Sequence, residues 1–221
     1  MSRFRDRREA GRILGRRLSK YVGRSNVIVL GLPRGGVPVA YEVAHALGAP
    51  LDVFIVRKIG HPWNEELALG AIASGGVEIL DRDFAHQLGT RDEQLNRIVA
   101  REQVELERRE WLYRRDRPFP DLAGKTAVVV DDGLATGASM RAAVQTLRSY
   151  HPASIVVAVP VASREACARI SQMADECVCV MTPEPFYGVG AWYDDFSHTS
   201  DGEVMELLEG AADGARETVG L

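Results

Sequence analysis

The apolar residues of this chain recur in two alternating rhythms. Over residues 5–22, Ile13, Leu14, Leu18 and Val22 return at helical spacing among Arg and Glu, which predicts an amphipathic first helix. Asn26-Val27-Ile28-Val29-Leu30 is a short apolar run closed by Gly31 and Pro33, and predicts a buried strand. Residues 37–47 read as a helix, with Pro38 in the first turn where a missing N–H costs little. Val53-Phe54-Ile55-Val56 reads as the next strand. A β-turn-α-β unit of this size implies parallel strands joined by a right-handed crossover.

The rhythm then breaks. Residues 58–68 are polar and irregular, with Gly60 and Pro62. Leu69 to Ala73 and Val77 to Leu80 read as two strands joined at Ser74-Gly75-Gly76, a hairpin signal. Residues 91–115 predict a long charged helix with Leu95, Ile98, Val99, Glu102 and Leu106 on one stripe, ended by Pro118 and Pro120. Thr126 to Val130 is the cleanest buried strand. A helix over 139–149, a strand Ile155–Val159, a helix near 163–173 and a strand Cys177–Met181 follow. The alternation predicts an α/β fold: a mostly parallel central sheet flanked by helices, with the hairpin and long helix inserted into it. The inserted helix reads either as a surface helix packing on its own domain or as a contact between two copies.

Length and composition narrow the class. At 221 residues the chain is one large domain, or one domain with an appendage. With 46% hydrophobic and 26% charged residues it is neither disordered nor collagen-like. The net charge of −4 lacks the basic excess expected of a duplex-binding protein. Arg3, Arg5, Arg7, Arg8, Arg12, Arg16 and Arg17 do gather at the start, and read as a solvated helix face. No run of 18 apolar residues occurs and the first 20 lack an apolar signal region, so a cytoplasmic protein that spans no membrane is expected. Three cysteines cannot pair evenly. Cys177 and Cys179 sit two apart, a spacing unlike a zinc pair or a C-x-x-C redox motif, and are expected to be small core residues together with Cys167.

The chemistry concentrates after the 126–130 strand, in Asp131-Asp132-Gly133-Leu134-Ala135-Thr136-Gly137-Ala138-Ser139. α/β sheets bind ligands at the carboxyl ends of their strands. Gly and Ala let backbone N–H groups converge, Thr136 and Ser139 add hydroxyls, and a helix start behind them favours an anion. The turn reads as a cradle for one phosphate monoester. Asp131 and Asp132 would repel a phosphate, so they are expected to face a sugar diol, with or without a divalent cation. No Gly-Lys-Ser/Thr closes the loop and no G-x-G-x-x-G is present, which excludes the Walker A and Rossmann patterns. A second glycine-rich turn, Leu32-Pro33-Arg34-Gly35-Gly36, also lies between a strand and a helix. Arg57-Lys58 ends the second strand, and lysine is used only three times, at 20, 58 and 125.

The stretch Val128–Ser139 resembles the phosphoribosyl pyrophosphate (PRPP) signature of type I phosphoribosyltransferases: apolar strand, two acids, Gly, two variable residues, Thr-Gly, a small residue, Ser/Thr. The likeness extends over residues 4–210. It includes Gly-Leu-Pro-Arg-Gly-Gly-Val-Pro-Val-Ala at 31–40, Arg-Lys-Ile-Gly at 57–60 and Phe-Tyr-Gly-Val-Gly-Ala-Trp-Tyr-Asp-Asp-Phe at 186–196, which mark one branch of the family. The resemblance implies the type I phosphoribosyltransferase fold over one domain, 1–221, with a core of about 23–180 and a hood of about 181–210. Asp131 and Asp132 would face the ribose hydroxyls, and Ala135, Thr136, Gly137, Ala138 and Ser139 would take the 5′-phosphate. Arg34, Gly35, Gly36, Arg57 and Lys58 would hold pyrophosphate, with the peptide before Gly35 cis. Residues 61–67 correspond in position to a loop that closes over the site. Asp131, Asp132, Lys58 and Arg34 are the implied catalytic set. Mg²⁺ would be bound mainly through PRPP, with Asp131 and Asp132 as its candidate protein ligands.

The implied reaction transfers the 5-phosphoribosyl group to a nucleobase-like acceptor and releases pyrophosphate, as in nucleotide salvage, in a homodimer. The alternative is a PRPP- or nucleotide-sensing regulator that keeps the site without turnover. Ala135 stands where 6-oxopurine enzymes carry Asp, which points away from hypoxanthine and guanine. Five of the fifteen aromatics fall within 186–196, and Phe186, Trp192 and Tyr193 are candidates to stack on a flat base.

Overall fold

Strands that are apolar on both faces can be buried only between two layers of helix. That is the arrangement in the computed structural model, which describes residues 3–115 and 117–219. The first unit is α1 (Arg7–Arg17), β1 (Val27–Gly31), α2 (Gly36–Leu47) and β2 (Leu51–Val53). The insertion is β3 (Val56–His61), β4 (Asn64–Ala73), β5 (Val77–Leu80), α3 (Arg82–Gln87) and α4 (Asp92–Arg114). The second unit is β6 (Thr126–Val130), α5 (Ala138–Arg148), β7 (Ser154–Val161), α6 (Arg164–Ser171) and β8 (Glu176–Met181), followed by α7 (Asp201–Val219). The central sheet is parallel throughout, in the order β2-β1-β6-β7-β8.

Alternation along the strands sorts the core into two layers. Ile28, Leu30, Ala127 and Val129 face α5 and α6, meeting Met140, Leu147 and Ile170. Val27, Val29, Val128 and Val130 face α1 and α2, meeting Leu14, Leu18, Val43 and Leu47. Each such Val, Ile or Leu contributes about 1.5–3 kcal/mol relative to exposure. A third cluster joins the insertion to the domain: Ile59, Leu69 and Ile72 meet Leu95, Leu106 and Tyr113 of α4 and Val204 and Leu208 of α7. The inserted helix thus packs on its own domain, and leaves Val104 and Trp111 exposed.

Several expectations need correction. The strand read at 53–56 is two strands. Val53 ends β2 in the parallel sheet, and Val56 opens β3 in a separate antiparallel sheet of order β3-β4-β5. The buried guanidinium of Arg114 holds that corner, donating to the carbonyl of Val53 and pairing with Asp52 at 3.0 Å and Glu110 at 2.8 Å. Residues 58–68, read as irregular, belong to the β3-β4 hairpin. The short α3 was not foreseen; Asp81 caps it by accepting from the Phe84 amide at 2.9 Å. The first helix ends at Arg17, five residues early, and passes into a single 3₁₀ turn at Ser19–Tyr21. Nor is its basic face simply solvated: Arg8 and Arg12 both pair with Glu42 of α2, at 2.7 and 3.3 Å. Among the described residues no helix is long and apolar enough to cross a membrane.

Candidate active site

From β1 the chain crosses through α2 to β2; from β6 it crosses through α5 to β7, on the opposite side. The adjacent pair β1/β6 is therefore the topological switch point, where two diverging loops open a crevice at the carboxyl edge. The loops that diverge there are Leu32–Gly36 and Asp131–Ser139, the two turns singled out above.

The two loops are in close contact. A Cβ at Gly35 would lie 2.1 Å from Asp132 Oδ2, and one at Gly36 would lie 2.8 Å from the Val130 carbonyl oxygen, so side chains are excluded from both positions. Asp131 Oδ1 accepts from the Asp132 amide at 2.9 Å. Burial, then the neighbouring Asp132 charge, holds the Asp131 carboxyl well above the usual carboxylate range. Burial raises Asp132 as well, against the pull of Arg7, whose Nε donates to Asp132 Oδ2 at 2.9 Å. The two adjacent buried acids share one guanidinium and gain from a further cation or a hydroxyl donor.

Behind the acids, the turn is fixed by β7 and α6. The Leu134 amide donates to the Val161 carbonyl at 2.9 Å, and Ser163 Oγ donates to the Ala135 carbonyl at 2.8 Å. Gly137 takes a left-handed φ of 73° and starts α5, whose first-turn amides lack intrahelical acceptors. Ala135, Thr136 and Ser139 are left exposed around that helix start. Thr136 Oγ1 accepts from the Ala138 amide at 3.4 Å. The geometry suits a phosphate group.

A cavity of about 370 Å³ opens beside the acids, lined by Arg7, Arg34, Gly35, Asp132, Phe196, His198 and Thr199. Arg34 Nη2 lies 2.5 Å from His198 Nε2, and Nη1 lies 3.9 Å from Asp201 Oδ1. Arg7 spans the crevice: besides Asp132, it donates to the Ser197 carbonyl at 2.7 Å and stacks over Phe196, 3.9 Å from the ring centre. Tyr193 OH donates to the Asp132 carbonyl at 2.6 Å. The segment carrying these groups is tied to the chain start, with the Phe4 amide on the Trp192 carbonyl at 2.9 Å and the Asp194 amide on the Phe4 carbonyl at 2.8 Å.

Among the residues singled out from sequence, Arg34, Gly35 and Asp132 meet in the cavity, and Asp131, Gly36 and Ala135 to Ser139 adjoin it along the same sheet edge. Arg57 lies away from the cavity, paired with Glu102 of α4 at 2.5 Å. Lys58 follows it in β3 and so points to the opposite face, the one from which Val56 packs toward α5. The cis peptide is Pro33-Arg34, one bond before the expected position. Phe186, Trp192 and Tyr193 pack with Phe4, Val161 and Met181 in a small cluster, and the aromatic ring at the cavity is Phe196. Arg7, Phe196, His198 and Thr199 were not assigned from sequence. Phe196 belonged to a noted aromatic run, but nothing set Arg7 apart from six neighbouring arginines. A hard divalent cation such as Mg²⁺ suits the oxygen donors present, the adjacent carboxyls of Asp131 and Asp132, of which Asp132 lines the cavity.

Known proteins share this frame. Residues 6–192 match the family model of the phosphoribosyl transferase domain. Two proteins of Mycobacterium tuberculosis, from strains CDC 1551 and H37Rv and provisionally named phosphoribosyl transferases, are each 46% identical over 211 residues. The match covers 96% of this chain and 47% of theirs, so the chain spans about half the length of these relatives. The crystal structure of TT1426 from Thermus thermophilus superposes with a TM-score of 0.84 at 46% identity, covering 93% of this chain and 97% of that one.

Proposed function

The chain belongs to the phosphoribosyl transferase domain family, and from that premise we propose that it binds PRPP at the β1/β6 switch point and transfers the 5-phosphoribosyl group to a nucleobase-like acceptor. The observation that carries the reading is the convergence on one crevice of two turns suited to anions, with twin acids between them. A phosphate at one end, a diol in the middle and a second, doubly charged anion at the other is the polarity of PRPP.

In this reading Ala135 to Ser139 hold the 5′-phosphate through the α5 start. Asp131 and Asp132 accept from the ribose hydroxyls. Arg34 and the amide of Gly35 receive pyrophosphate, Gly36 leaves the room for it, and Lys58 of β3 is the candidate to neutralise its charge. Pyrophosphate leaves as the acceptor nitrogen enters, and positive charge develops on the ribose ring. The protein lowers this barrier by fixing both ends of the substrate and by holding carboxylates near the developing charge. Bound Mg²⁺ would neutralise pyrophosphate oxygens, with Asp131 and Asp132 as its protein ligands. Phe196 offers a flat face for the acceptor.

Turnover of PRPP against a panel of nucleobases, read by mass spectrometry, tests the proposal; a new nucleoside monophosphate and equimolar pyrophosphate are expected. In parallel, Asp131→Asn combined with Asp132→Asn should abolish the thermal stabilisation given by PRPP and Mg²⁺. A shift equal to wild type removes these acids from the site. One observation favours a second reading, binding without turnover: Arg7 and His198 already engage Asp132 and Arg34. Stabilisation by PRPP without pyrophosphate release in the presence of any base would select it.

A further inference from the structure

The three cysteines of the chain, carried on two successive elements, meet at one place at the sheet edge. Cys177 and Cys179 alternate along β8 and leave the same face of the sheet. Cys167 reaches that face from α6, which packs against it. The Sγ atoms lie 3.0 Å apart for Cys167 and Cys179, 3.8 Å for Cys177 and Cys179, and 3.9 Å for Cys167 and Cys177. All three residues are half-buried. The carboxylates nearest in sequence are engaged elsewhere: Asp175 with Arg148 at 2.8 Å, and Glu176 with Lys20 at 2.7 Å and Tyr21 at 2.5 Å.

We propose that Cys167, Cys177 and Cys179 form a tri-thiolate site for a closed-shell, thiophilic cation of the Zn²⁺ class, which clamps α6 to β8. Zinc–sulfur bonds of about 2.3 Å in tetrahedral array place sulfurs about 3.8 Å apart. Two of the three separations already have that value, and the third reaches it by a movement of less than one bond length. An all-sulfur donor set selects soft and borderline ions over Mg²⁺ or Ca²⁺. A disulfide would use only two of the three sulfurs and require the closest pair to approach further. As the metal enters, three S–H bonds are lost, three metal–sulfur bonds form and three protons go to solvent.

The clamp has a structural consequence that does not depend on the phosphoribosyl reading. Ala166 of α6 lies against Gly137, within 3.5 Å of where a Cβ would be, and the α6 cap Ser163 holds Ala135. Fixing α6 fixes the back of the 135–139 turn.

The test uses the full chain, chelator-stripped and kept reduced with a phosphine, titrated with Cd²⁺ as an optical probe and with Zn²⁺. Ultraviolet thiolate-to-metal charge transfer should saturate at one Cd²⁺ per chain, Zn²⁺ should displace it, and Zn²⁺ should protect all three thiols from alkylation. Cys179→Ser should weaken Cd²⁺ binding by roughly a hundredfold or more, since loss of a ligand exceeds loss of an outer partner. Absence of a saturable band in wild type, or a stoichiometry other than one, overturns the proposal. So does a band of equal strength in the Cys167→Ser/Cys177→Ser/Cys179→Ser variant, or wild type in which any of the three thiols is alkylated as fast with Zn²⁺ as without it. Stoichiometry and thiol protection are read on wild type, so a variant that fails to fold leaves the result decided.

Discussion

The turn at 131–139 and the strap at 192–201 meet on the same acid, Asp132, and are held by different means. The turn is fixed by backbone: strands β6 and β7 flank it, Leu134 bonds to Val161, and small residues let its neighbours approach. The strap is tied by backbone to the chain start at its first residues, but where it meets the cavity it is fixed by long side chains brought from far along the chain, with Arg7 reaching Asp132, Ser197 and Phe196, and Arg34 reaching His198 and Asp201. Backbone anchoring between buried strands gives a preorganised surface, as a group of fixed charge requires. Guanidinium contacts at a part-exposed cavity can be exchanged for ligand oxygens at little net loss. The turn is suited to the invariant part of a substrate, and the strap to the part that must enter and leave.

The sharpest way to break this contrast is to disturb the rigid side. Gly35→Ala places a methyl group where Asp132 Oδ2 now sits, 2.1 Å from the ideal Cβ. The overpacking should cost about 1–3 kcal/mol. Displacement of the acid should lower PRPP turnover by roughly a hundredfold. Denaturant midpoints and steady-state rates read the two effects, and wild-type values for both would mean that the loops are not in contact in solution. Next in size is Arg7→Ala, which strips Asp132 of its cation partner. A loss of about 2 kcal/mol is expected, limited because a carboxyl already raised by burial can take up a proton. An unchanged urea midpoint would show that the strap carries no stability.

Asp131 links stability to function through pH. Its carboxyl titrates well above the unfolded value, because burial and Asp132 both oppose its charge. The folded state therefore binds more protons than the unfolded one, and stability falls as pH rises from about 3.9 toward the folded value. Asp131→Asn should raise the Tm of the ligand-free protein at pH 7. The difference should vanish below about pH 4, where the acid is protonated in both states. The same substitution should diminish stabilisation by PRPP and Mg²⁺. Equal Tm at pH 7 would mean that the acid is not penalised.

The same division decides what could be read from the sequence. The turn was legible because its determinants are local: a five-residue apolar strand, two acids, Gly137 where φ is positive, and a helix period that starts at once. The parallel sheet followed for the same reason. The β2/β3 corner was not legible, because it is set by Arg114, more than fifty residues away, and Val53 to Val56 is apolar throughout. The cavity wall was illegible in the same way. Arg7 and Phe196 are nearly two hundred residues apart, and an arginine in an arginine-rich helix carries no local sign that it will turn inward. The cysteine cluster combines both cases: the Cys177/Cys179 face was plain, and the third sulfur came from another element.

The smallest effect bears on the strap's role with the acceptor. Phe196 is about one-third exposed, lines the cavity and carries Arg7 on its ring, while Phe186, Trp192 and Tyr193 are packed in a cluster behind it. Losing that cation–π contact should cost about 0.5–1 kcal/mol of stability. If Phe196 also stacks on the acceptor, Phe196→Ala should raise the acceptor KM several-fold and leave the PRPP KM near wild type, because the phosphate and diol contacts lie on the rigid side. Phe196→Tyr should restore the acceptor KM by restoring the ring. A rise in both KM values together would instead mean that Phe196 acts through Arg7 and Asp132, and that the strap and the turn form one mechanical unit.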